Sequence, residues 1–244
     1  MHKLAVLPLF FAPMIAWGDC TQHLQGWARA LHPQLEFDSE HAVCKVNPAD
    51  SSQILAVLPF AVSIEENEDA NYGLDVLVAD SATAKVITHR YQAVALDTSA
   101  SRFWSVKLDT ARYQVTPALR AFGVRFTYEG SSSPYPYESE TLSLYVHDGS
   151  QLRQIMSSLV VRKNQGDWDT RCAGTFNEMN RTLAIGNPGK EGFASLRITE
   201  KSTDSQNVLK ADDNCEEIVA EPKTMTFTLN YIDGQYGVPK GLSN

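Results

Sequence analysis

Two hydrophobic periodicities divide the chain. Near the N-terminus, Leu24, Trp27, Ala28 and Leu31 recur at i, i+3, i+4 and i+7, one apolar stripe at helical spacing. Thr21 stands where a cap is expected, and Pro33 ends the helix because the residue before a proline avoids helical geometry. From residue 53 onward the period becomes two. Residues 53–62 form a long apolar run; 72–80 (YGLDVLVAD), 85–91 (KVITHRY) and 102–108 (RFWSVKL) alternate and are rich in β-branched and aromatic residues. That pattern predicts half-buried strands. Further strands are predicted at 119–128, 140–147, 151–161, 182–185, 192–200, 206–210, 225–231 and 235–238, with turns at Asp148-Gly149 and Asp233-Gly234.

The resulting fold class is all-β, an antiparallel strand meander behind a short N-terminal helix. The stretches starting near 53, 119 and 182 read alike, each a strand, a hairpin and another strand. That spacing is compatible with propeller-like repeats, and a two-sheet β-sandwich is the alternative. Two segments fall between strands: the acidic run 65–69 (EENED), and 130–140 (GSSSPYPYESE), whose Pro134 and Pro136 remove ladder donors. Both are expected to be exposed turns. The chain divides into an export signal (1–18), a helix-bearing segment tied by a disulfide (19–50) and an all-β domain (51–244).

The export signal is read from a basic start at Lys3, an apolar run from Leu4 to Ile15, and small residues at Ala16 and Gly18, with cleavage expected after Gly18. The run is too short for a transmembrane helix, and no later stretch is long and apolar enough to be one. A buried helix of a cytosolic protein is the bland alternative for this run. Asp19 precedes Cys20, where a lipobox needs a small residue, so lipidation is not expected. Four cysteines, Cys20, Cys44, Cys172 and Cys215, read as disulfides in an exported chain. Three pairings are open; the local one, Cys20 with Cys44 and Cys172 with Cys215, is the simplest. Each such loop is worth roughly 3–4 kcal/mol in the chain-entropy model. The net charge of −8 argues against phosphate-backbone binding, so no nucleic-acid partner is expected.

Chemistry-bearing motifs are sparse. The chain contains no G-x-S-x-G and no H-E-x-x-H. Beyond the signal the histidines are His23, His32, His41, His89 and His147, and they are expected to be surface or satisfied side chains rather than metal ligands. The acidic residues around Cys215 (Asp212, Asp213, Glu216, Glu217) lack calcium-loop spacing. No metal, cofactor or catalytic residue is therefore assigned. Asp167 and Asp169 flank Trp168; as strand residues they would share a face, a pairing usable on a glycan, while the competing reading is a turn fixed by aspartate bonds to local N–H groups. Tyr135 and Tyr137 are the best recognition candidates, since tyrosine contributes contact area at low entropic cost. The expected ligand-binding residues are thus Tyr135, Tyr137, Asp167, Trp168 and Asp169.

The runs 108–113 (LDTARY), 121–125 (AFGVR), 141–144 (TLSL) and 166–174 (GDWDTRCAG) resemble motifs of exported proteins of Gram-negative bacteria to which no activity is assigned. The strand-and-turn grammar is also similar to periplasmic propeller-like repeat proteins, although their Asp-rich FG-GAP calcium motif is missing. The resemblance implies residence in the periplasm or secretion and transfers no catalytic residue. The expected function is non-enzymatic recognition of another envelope or secreted protein, as an inhibitor or immunity-type protein would perform it. The alternatives are a glycan- or peptidoglycan-acting enzyme using paired carboxylates and a structural envelope component.

Overall fold

The computed structural model describes residues 20–62, 71–96, 101–189 and 191–243. The expected export signal and the acidic run 65–69 lie outside the described residues. The helix α1 (Thr21–Leu31) buries Leu24, Trp27 and Ala28, the predicted stripe. Its N-cap is Cys20, one residue earlier than expected, and its C-cap is His32, just before Pro33. No helix among the described residues is long and apolar enough to cross a membrane.

The strands are β1 (Glu36–Phe37), β2 (Val43–Val46), β3 (Gln53–Val62), β4 (Asn71–Asp80), β5 (Val86–Leu96), β6 (Arg102–Gln114), β7 (Arg120–Glu129) and β8 (Tyr137–Asp148). They continue with β9 (Gln151–Trp168), β10 (Gly174–Pro188), β11 (Ala194–Leu209), β12 (Cys215–Val219), β13 (Lys223–Leu229), β14 (Tyr231–Ile232) and β15 (Gln235–Tyr236). Among the described residues they form two sheets, antiparallel apart from the parallel pairing of β15 with β9. In the smaller, β3, β4 and β5 lie side by side and β1 and β2 share the outer edge of β3. In the larger, the meander runs from β6 to β12 in chain order, with β13 beside β11. Of the two architectures left open, the sandwich is the one adopted. The stretches near 119 and 182 are not separate blades; they belong to one sheet. The expected hairpin 192–200/206–210 is a single strand, β11, because nothing between Glu200 and Gln206 forces a turn.

Among the described residues three hydrophobic cores stack between these layers. The first lies between α1 and the smaller sheet and contains Leu24, Trp27, Ile54, Leu58, Phe60 and Leu77. Leu55, Val57, Val76 and Val78, at the opposite parity of the same strands, join Phe122, Val124, Phe126 and Tyr145 of the larger sheet in the second. The larger sheet then folds back on itself. Leu142, Leu144, Ile155 and Leu159 meet Leu196 and Ile198 of β11 and Leu229, Tyr231, Tyr236 and Leu242 in the third. β7 and β8 are thus buried on both faces, and Thr127, Ser139, Thr141 and Ser143 are buried along with their apolar residues. The fold-back is clasped by Arg181, whose guanidinium donates to the Val160 and Leu242 carbonyls and pairs with Glu200.

Both disulfides take the local pairing, Cys20–Cys44 and Cys172–Cys215. The first binds the start of α1 to β2. Because β1 and β2 pair with β3, residues 36–46 are part of the smaller sheet rather than a separate N-terminal segment.

Candidate functional site

Strands β9, β10 and β11 outrun the cores they help to build. In β9 the buried residues Ile155, Met156, Leu159, Val160 and Val161 give way to RKNQGDW at 162–168. In β11, Ala194, Leu196 and Ile198 give way to KSTDSQN from 201 on. With β12 these polar ends form a four-stranded wing, in which 162–168 pairs with 174–180, 174–180 with 201–207, and 205–209 with 215–219. Within the wing Met179 is the buried residue of β10, and β12 is exposed along its whole length. What holds the wing is the backbone ladder and the Cys172–Cys215 bond, which ties the β9–β10 turn to the start of β12.

Both faces of the wing are hollowed. One hollow, of about 800 Å³, is lined by Glu138, Asn164, Glu178, Thr203 and Glu217. The other, of about 770 Å³, is lined by Tyr135, Asp167, Thr175, Gln206 and Ile218. Register separates them. Glu138, Asn164, Glu178 and Thr203 form one cross-strand row, and Asp167, Thr175, Gln206 and Ile218 form another an odd number of residues away on each strand. Side chains alternate along a strand, so the two rows face opposite ways.

The predicted binding residues divide accordingly. Tyr135, Tyr137 and Asp167 meet in the second hollow. The Lys163 ammonium sits 5.6 Å from the centroid of the Tyr137 ring. Beside them Asn177 donates to Asp204, which Lys223 also contacts; together these hold the Asp204 carboxyl below its ordinary range. Trp168 belongs to the other face, packing near Phe176, and its indole N–H donates to the Ser133 carbonyl at 2.5 Å. Asp169 lies beyond the end of β9. Its Oδ1 accepts the N–H groups of Arg171 and Cys172 at 2.9 and 2.8 Å, which lowers its pKa. Asp167 and Asp169 therefore do not form a facing pair on one strand: the second carboxylate fixes the turn. The segment 130–140 also departs from expectation. It runs along β9 rather than looping away, with the Pro134 and Pro136 carbonyls accepting from the Trp168 and Gly166 N–H groups at 3.0 Å each. Both prolines contribute as acceptors, which the loss of an N–H does not prevent.

A second polar cluster lies on the smaller sheet. Asp75 is fully buried at the centre of β4, on the face packed against α1. Its neighbours across the sheet are Leu58 and Tyr91. An unpaired carboxylate there would cost several kcal/mol. His32, the C-cap of α1, brings Nε2 to 2.6 Å from Asp75 Oδ2, and His89 of β5 brings Nδ1 to 2.9 Å from the same oxygen. The His32 ring rests on Tyr91, centroids 4.2 Å apart, and on the edge of Phe60. Burial, and then the Asp75 charge, raise the pKa of the Tyr91 hydroxyl. Reading the histidines as isolated residues missed this convergence. The available signal was Asp75 itself: in YGLDVLVAD it shares the parity of Leu77 and Ala79, so an inward-facing carboxylate needs a partner.

No family model, curated protein or solved structure matches the chain, so what its surfaces do is argued from their own chemistry.

Proposed function

We propose that this protein is an exported, non-enzymatic recognition protein of the bacterial envelope, of the inhibitor or immunity type, and that the wing is the surface it presents to another envelope or secreted protein. One observation carries the reading: four polar strands project beyond the three cores, are sewn by a disulfide, and carry or adjoin large exposed side chains. Tyr135 is 61% exposed, Ile218 52% and Val219 59%. Exposed apolar and aromatic groups set among amides and carboxylates are the composition of an interface. The outer edge of β12 pairs with no other strand among the described residues, so its backbone groups are open to an incoming segment. The acidic chain favours a basic partner, since complementary charge speeds association. Two disulfides suit an oxidising compartment, which supports periplasmic or secreted residence.

The test compares captures from envelope and secreted fractions by the wild-type chain, by the double variant Tyr135→Ser/Ile218→Ser, and by Trp104→Ser. Trp104 is exposed on β6, at the opposite edge of the sheet. Each variant should fold with stability within about 0.5 kcal/mol of wild type, because each site is on the surface. The wild type and Trp104→Ser should retain one stoichiometric, salt-sensitive partner, and the double variant should retain it about tenfold less tightly. If every partner recovered binds all three proteins equally, the wing is not the recognition surface.

A further inference from the structure

We propose that His32, Asp75 and His89 form a binding site for a divalent transition-metal ion of the zinc type, with two imidazoles and one carboxylate as ligands and a coordination position open toward solvent.

The geometry of the three donors is the starting point. Their ligand atoms all lie within 4.8 Å of one another. Both imidazole nitrogens approach the same carboxylate oxygen, Asp75 Oδ2, at 2.6 and 2.9 Å. Two imidazole nitrogens gathered on one buried carboxylate oxygen supply a ligand set of the size and type that holds a cation. Ligands of a tetrahedral zinc ion stand about 3.3 Å apart, given metal–ligand distances near 2.0–2.2 Å. Admitting the ion opens the His32 contact by about 0.7 Å and the His89 contact by about 0.4 Å.

The surroundings favour a bound ion over three loose side chains. Asp75 is fully buried and its backbone is held by ladders on both sides, to β3 and β5. His32 is 15% exposed and is fixed by Phe60 and Tyr91 and by its own N–H, which donates to the Ala28 carbonyl at 2.9 Å. Gly73, next on this face of β4, leaves the space the Tyr91 ring occupies. His89 is 40% exposed and lies on β5, at the edge of the smaller sheet. The site thus has a closed floor and one open side, the arrangement of metal sites that keep a place for water or substrate. Donor type selects the metal. Two imidazoles and one carboxylate suit Zn²⁺, Cu²⁺, Ni²⁺ or Fe²⁺, whereas Ca²⁺ and Mg²⁺ take oxygen sets. The ligands come from three elements, the end of α1, β4 and β5, so a bound ion would bridge the helix to the sheet on the face away from the larger sheet.

The experiment uses the full chain without a histidine tag, stripped with chelator and dialysed against Co²⁺ as a spectroscopic stand-in for Zn²⁺. Wild type should retain one equivalent of Co²⁺, show the visible bands of nitrogen- and oxygen-bound Co²⁺, release it to added Zn²⁺, and melt at a higher temperature with Zn²⁺ than with chelator. His89→Gln, at a partly exposed position that leaves buried Asp75 paired with His32, should fold like wild type and bind at least tenfold more weakly. His41→Gln, which removes a histidine bonded to Asp38 instead, should bind like wild type. Circular dichroism reports the fold of each variant. Two outcomes overturn the proposal: wild type that retains no Co²⁺ through dialysis, or His89→Gln that folds and binds with unchanged affinity.

Discussion

The body and the wing are built from the same strands by different means. In the body, β9 and β11 place Leu159, Val161, Leu196 and Ile198 in the third core, and the chain is held by apolar burial. A few residues further along the same strands, side chains turn polar on both faces, and the ladder and one disulfide do the holding. A β-strand can therefore be a core element over half its length and a presenting surface over the rest. Rigidity passes from one to the other through continuous backbone. The wing needs no core of its own because it is cantilevered from one, which leaves both faces free to be read by something else.

Three substitutions probe this division, in decreasing order of expected effect. Leu159→Ala, at a fully buried position in the third core, should destabilise the whole molecule by about 2–5 kcal/mol, read as a lower urea midpoint that spectroscopic probes of both sheets report together. Cys172→Ala/Cys215→Ala removes a bond closing a sequence separation of 43, worth about 2–4 kcal/mol. Its loss should be local: amide exchange should accelerate in β12 and in 174–180 and stay slow in β7 and β8. If exchange rises equally in body and wing, the two are one cooperative unit and the division fails.

The third lies in the body. Burial pushes the Asp109 carboxyl up, but the Ala111 N–H, the Tyr113 hydroxyl and the Arg125 guanidinium together outweigh it, and its pKa falls below the ordinary value. The same cluster pushes the Tyr113 hydroxyl up to about 12, by burial first and then by Asp109. A lowered carboxylate contributes stability that is complete above its unfolded pKa of about 4 and is lost as pH falls through the folded value. Asp109→Asn should cost roughly 1–2 kcal/mol at neutral pH and flatten the decline in stability below about pH 4. An unchanged acid limb in urea titrations at several pH values would assign that decline to other carboxylates. The exposed wing carboxylates Asp169 and Asp204 are also lowered, but solvent screening makes their share smaller.

Where apolar alternation was strong, the sequence was legible. The run 53–62 is a strand with the predicted bounds, and the helical stripe of Leu24, Trp27 and Ala28 is buried as expected. Reading failed where the wing begins. Strand β9 continues seven residues past Val161, β10 begins well before Thr182, and β12 was not foreseen, because residues polar on both faces leave no period-two signal. Tyr135, Tyr137 and Asp167 could each be singled out, but their meeting depends on the pairing of Tyr137 with Gln165, a register that no local pattern encodes. His32 and His89 likewise come together only because α1 ends over β4 and β5.

The fold-back of the larger sheet also bears on the order of events during synthesis. Strands β6 to β9 leave the ribosome well before Leu229, Tyr231, Tyr236 and Leu242, yet these later residues seal the core against which β8 and β9 pack. The Arg181 clasp cannot close until the Leu242 carbonyl arrives to accept its second bond. Such long-range closure makes for slow, late completion. Until then the face of the growing sheet that carries Leu142, Leu144, Ile155 and Leu159 has no C-terminal cover.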